Sequence, residues 1–64
     1  MQIGGRVQVS GTNSVMDGVK GLISATYSIH PETTFWVVDR LDEQQNVTLG
    51  YSMVYSTFNL TEIT

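Results

Sequence analysis

This chain has no crosslink with which to hold itself together. Its 64 residues include no cysteine and a single histidine, His30. A domain this short buries roughly 60% of the surface that its unfolded form exposes. Apolar gain and entropy loss then come close to cancelling, so small domains usually need a staple. Disulfides are excluded, and a lone histidine gives a structural metal no ligand set. The remaining remedies are a compact core or extra burial against a partner. The whole of 1–64 is read as one domain, since domains rarely fall much below about 50 residues.

The composition selects β structure. Val, Ile and Thr contribute 20 residues, whereas Ala and Lys contribute one each. Branched side chains lose rotamer freedom in a helix and pack well on a pleated sheet. Arg6 to Ser10 alternates strictly, with Val7 and Val9 on one face, between Gly4-Gly5 and Gly11. Gly11 to Gly18 reads as a curled loop carrying Asn13 and Asp17, with Val15 and Met16 unusual for a solvated segment. A second strand is expected from Lys20 to Ser28, with Gly21, Ile23, Ala25 and Tyr27 sharing a face. A turn follows over Ser28 to Glu32, which Pro31 breaks.

Thr34 to Leu41 is the most apolar segment, with Phe35-Trp36-Val37-Val38 apolar on both faces. Such a run reads as a central strand or as one whose outer face is covered. Either Trp36 and Val38 turn inward or Phe35 and Val37 do. Asp42 to Asn46 suits a hairpin loop. A short fourth strand is expected from Val47 to Tyr51, then a 3₁₀ turn within 52–58, then a last strand ending the chain. Leu60 and Ile63 are its anchors, and their spacing of three suggests a bulge. The expected core is Val7, Val9, Ile23, Ala25, Trp36, Val38, Leu49, Leu60 and Ile63.

Five short strands in this order, with a long first loop and a 3₁₀ turn before the last strand, resemble an SH3-like small β-barrel. Gly4-Gly5-Arg6-Val7-x-Val9-x-Gly11 followed by Gly18-x-x-Gly21-x-Ile23 is similar to the KOW-type motif of nucleic-acid-binding barrels. The stretch between Gly11 and Gly18 is longer than the usual KOW turn. Phe58-Asn59-Leu60-Thr61-Glu62-Ile63 resembles the ending of electron-transport accessory proteins, which are also SH3-like barrels. Val37-Val38-Asp39-Arg40-Leu41-Asp42 is loosely similar to theirs. That resemblance implies a small accessory subunit docking onto a larger assembly. It specifies a barrel better than a function.

Catalytic signals are weak. Nucleophilic catalysis needs a positioned base, and His30 stands alone before Pro31 in an expected loop. Lys20 sits between glycine turns and reads as a solvated hairpin residue. Asp39, Asp42 and Glu43 form the densest carboxylate group, without the spacing of a calcium loop. No phosphate-binding loop is present. The chain is therefore expected to be a non-enzyme with no cofactor and no metal.

Charge weighs against nucleic acid. Arg6, Lys20 and Arg40 face six carboxylates, giving a formal net charge of −3. Phosphate binding draws on cations and counterion release. The KOW-like nucleic-acid reading stays as the alternative. No run of about 18 apolar residues exists, so no membrane span is expected. The N-terminus lacks the apolar stretch of a secretion signal. The expected setting is thus cytoplasmic, intracellular or virion-associated rather than secreted. The sequons Asn46-Val47-Thr48 and Asn59-Leu60-Thr61 then read as accidental in a chain with 14 Ser and Thr.

What remains is protein association. The hydrophobic fraction is 41%, slightly high for so small a barrel acting alone. Val15, Met16, Phe35, Met53, Val54 and Tyr55 exceed what the core can readily enclose. They form the expected interaction surface for a protein partner or a homo-oligomer, unless some fold under the first loop as a satellite cluster.

Overall fold

The computed structural model describes residues 1–30 and 33–63, without the side chains of His30 and Leu49. Among the described residues, five strands form one antiparallel sheet: β1 (Arg6–Val9), β2 (Lys20–His30), β3 (Thr33–Leu41), β4 (Val47–Ser56) and β5 (Leu60–Ile63). A 3₁₀ turn, Thr57–Asn59, precedes β5. The spatial order is β4-β3-β2-β1-β5, and no pairing of β4 with β5 closes the sheet among the described residues. The expected all-β architecture, the long first loop and the late 3₁₀ turn are present. β2 runs on to His30, through residues expected to begin the turn over Ser28 to Glu32, while the expected break at Pro31 lies outside the described residues.

β1 is short but pairs on both sides. Arg6 to Gln8 face Leu22 to Lys20 of β2, and Arg6 to Val9 face Ile63 to Leu60 of β5. Its alternation therefore carries the core. Val7 and Val9 are fully buried and cluster with Ile23, Trp36, Val38 and Leu60, while Met1, Met16 and Tyr55 pack against the cluster. Leu41, paired with Val47 past a register shift, is also buried.

Trp36 and Val38 take the inner face of β3. The Trp36 indole Nε1–H donates to Thr57 Oγ1 at 2.8 Å, which satisfies the one polar atom of a nearly buried ring. This bond also ties the 3₁₀ turn to the middle of β3.

Two expected core residues are only half-buried, Ala25 and Ile63, and both have a geometric reason. β2 bulges at Ser24: Ile23 faces Val38, and Ala25 faces Val37, the very next residue of β3. The extra residue moves Ala25 to the outer face, away from Ile23. In β5 no bulge occurs, and the register against β1 is regular. The three-residue spacing therefore sends Leu60 and Ile63 to opposite faces. The Leu49 side chain lies outside the described residues.

The fourth strand runs twice as far as expected, to Ser56. Leu41 pairs with Val47 and Asp39 with Ser52, so β4 bows outward between them, with Gly50 at φ +83°. Beyond the bow, Ser52 to Ser56 pair one for one with Asp39 to Phe35. Their weak intrinsic propensity is overridden by this ladder.

Gly21 sets the spacing between β2 and β3. A Cβ there would lie 2.1 Å from Val38 Cγ1 and 3.0 Å from the Asp39 carbonyl oxygen. Gly21→Ala is expected to destabilise the fold by about 3 kcal/mol, because overpacking forces backbone shifts. Adding Val38→Ala should restore part of that loss by making room. Urea unfolding of both variants checks this, and an unchanged midpoint for Gly21→Ala would contradict it. Thr57→Val, which removes the acceptor of a nearly buried indole, should lower stability by about 1–3 kcal/mol.

Candidate functional site

The six expected surface residues divide by strand parity. In β4, Val54 pairs with Val37 on the outer face, and Met53 pairs with Val38 on the core face. Tyr55 faces Trp36 across the same inner surface, and its hydroxyl lies 3.4 Å from Met53 Sδ. Met53 and Tyr55 are thus partly buried flanks of the core. Met16 joins them from the first loop, packed against the same cluster. Val15 stands apart at that loop, 95% exposed. Of the six, Phe35 and Val54 alone lie on the outer face of the sheet.

That outer face is the larger apolar feature. Phe35 pairs with Tyr27, and their rings stack with centroids 5.6 Å apart and planes 23° apart. Ala25, Val37 and Val54 continue the row, with Tyr27 43% and Val54 50% exposed. Hydroxyls along β2 bind β3 directly, for Ser24 Oγ donates to the Val37 carbonyl at 3.4 Å and Thr26 Oγ1 to the Phe35 carbonyl at 3.0 Å. Sequence reading missed Tyr27 as a surface residue because unbroken alternation aligns it with Ile23. The bulge at Ser24 reverses that parity, and a lone serine in a strand gives little sign of it.

The carboxylates build turns. Asp42 Oδ1 accepts from the amides of Gln44 and Asn46, each at 2.9 Å, and so closes the β3–β4 hairpin. Gln45 takes φ +67° in that loop. In the first loop, Asp17 accepts from the Thr12 hydroxyl, from the Thr12 amide at 3.0 Å and from the Asn13 amide at 3.1 Å. Asp39 accepts from Ser52 Oγ at 2.7 Å on the outer face.

Lys20 and Arg40 line an open groove between the end of the first loop and the hairpin, together with Asp17, Asp42 and Glu43. The Arg40 guanidinium lies 5.7 Å from the centroid of the Tyr51 ring. The groove mixes both signs of charge, whereas a phosphate-binding surface concentrates one. No group of three histidine, aspartate or glutamate side chains converges among the described residues. The His30 side chain lies outside them.

Comparison with family models, with curated proteins and with solved structures found no match for this chain.

The Thr12 hydroxyl, then the Thr12 amide, hold the Asp17 carboxyl below the usual carboxylate range, with smaller help from the amides of Asn13 and Ser14. The sign follows from linkage. A depressed folded-state pKa gives stability that is present above the unfolded value and lost as pH falls through the folded one. Asp17 should therefore keep the first loop ordered at neutral pH and release it only under acid conditions. An NMR titration of the Asp17 carboxyl should show a midpoint below that of the unfolded chain. Thr12→Val should raise the midpoint, because it removes the first of these bonds.

Proposed function

We propose that this chain is a non-enzymatic protein-interaction module on an SH3-like small β-barrel plan, docking onto itself or a larger assembly. The observation that carries this reading is the outer face of β2, β3 and β4. There the stacked Tyr27–Phe35 pair, Val37 and Val54 make a row of apolar side chains, of which Tyr27 and Val54 are exposed and Phe35 and Val37 half-buried. Contiguous exposed apolar surface of this kind marks association sites, and aromatic residues are enriched in them.

The barrel plan is supported by the order of parts. A long loop separates β1 from the β2-β3-β4 meander, and a 3₁₀ turn returns the chain so that β5 lies beside β1. The accessory-subunit resemblance of the last strand fits the same reading. The three cations are dispersed. Arg6 lies on β1, while Lys20 and Arg40 share a groove with three carboxylates. A surface of that kind gives little counterion release on binding phosphates.

Val54→Asp tests the proposal, because it places a charge in the apolar row without touching the buried cluster. The variant should stay folded, within about 1 kcal/mol of wild type, as surface changes usually do. Its capture of partner protein from the native host should fall at least tenfold, a difference of about 1.4 kcal/mol in binding. Unchanged capture would overturn the proposal. So would a gel shift with DNA or RNA that weakens steeply as salt rises, which belongs to the KOW-like alternative.

A further inference from the structure

We propose that a second copy of this chain pairs with the free edge of β4, antiparallel and in β4-to-β4 fashion, so that one sheet runs through both copies. This deepens the interaction-module reading and rests on it. β4 ends the strand order, and no backbone hydrogen bond reaches its outer side among the described residues. An unpaired edge presents a row of amides and carbonyls whose natural partner is another extended strand.

Edges are normally protected by charges, by proline, by bulges or by brevity, and in β4 only the bow between Val47 and Ser52 is of this kind. β4 has ten residues, and Val47 to Ser56 contains neither a charged residue nor a proline. In a chain of net charge −3, this neutral strand is where two copies can meet without repulsion. β4 also exposes Val47, Tyr51 and Val54, so pairing would bury apolar surface along with polar backbone.

Symmetry selects β4 over β5 as the partner. β5 has four residues and carries the exposed Glu62. A β4-to-β5 contact would also be head-to-tail and open-ended, whereas β4 against β4 uses the same patch twice and closes as a twofold dimer. The bow between Val47 and Ser52 confines regular pairing to Ser52–Ser56. A contact so short belongs with weak, reversible interfaces. Val54, at the centre of the regular run, would bring the two outer faces together into one longer apolar strip.

Sedimentation velocity on a dilution series reaching about 1 mM covers the range of weak dimers. Amide hydrogen exchange, read residue by residue at the two ends of that series, locates the contact. We expect a dimer in which alternate amides of Ser52–Ser56 become protected as concentration rises. Synthetic chains bearing a backbone N-methyl group at Met53 or at Val54 complete the test. Neighbouring amides of a strand point to opposite sides, so one methyl faces β3 and should impair folding. The other faces outward, and that chain should fold and remain monomeric.

A monomer throughout the series would overturn the β4 pairing. So would a dimer with unchanged β4 protection, or a folded N-methyl chain that dimerises as wild type does. Protection of β4 amides only on addition of a host protein would likewise overturn the second copy as occupant. None of these results alters the Val54→Asp comparison with host partners, so the two readings fail separately.

Discussion

The closeness of β2 and β3 at Gly21 governs the rest of this structure. Val38 occupies the space that any side chain at position 21 would need. With that approach, Val38 packs beside Val7, Val9 and Ile23, all essentially inaccessible to solvent. These four aliphatic side chains are the fully enclosed part of a very small core. A domain without crosslinks depends on packing of this quality, since each lost methylene is a sizeable share of its marginal stability. The indole of Trp36 then covers one side of the cluster and Leu60 contributes from β5, so the shortest strands are fixed by the tightest contact.

Much of the fold was legible in the residues themselves. Val7-x-Val9 announced β1 because strict alternation between glycines allows little else. Asp42 to Asn46 announced a hairpin because it is a polar loop of hairpin length, and in the structure Asp42 satisfies the turn's own amides. The illegible parts share one cause, which is departure from period two. The bulge at Ser24, the bow of β4 around Gly50 and the straight run of β5 each depend on the neighbouring strand's register. No local signal encodes them. The extension of β4 through Ser52 and Ser56 was hidden for the same reason, since the ladder with β3, and not propensity, holds it in place.

The candidate site was legible in kind and misplaced in detail. Excess apolar residues pointed to a surface, and the sheet carries one. Membership followed parity, however. Met53, Tyr55 and Met16 turned to the core, and Tyr27 joined Phe35, Val37 and Val54 outside. Of the carboxylates that looked densest in the sequence, Asp42 is spent on amides of its own hairpin and Asp39 on the Ser52 hydroxyl, and Asp17 likewise serves its own loop. Their chemistry is architectural, and this leaves the apolar row on the outer face of the sheet as the feature richest in recognition potential.

The single extra residue at Ser24 has a consequence for how such a surface can change over time. Everything in β2 beyond that point owes its facing to one inserted position. Loss of that one codon would leave the facing of Ala25 and Tyr27 unchanged, because Ala25 would then follow Ile23 directly and still pair with Val37. A point substitution alters one side chain of the surface, whereas drawing Ser24 into the regular ladder would exchange the whole row, bringing Tyr27 to the side of Ile23 and Thr26 to that of Phe35. Whether this one position bulges, more than residue type along the row, is therefore the route by which descendants of this domain could gain or lose their apolar face.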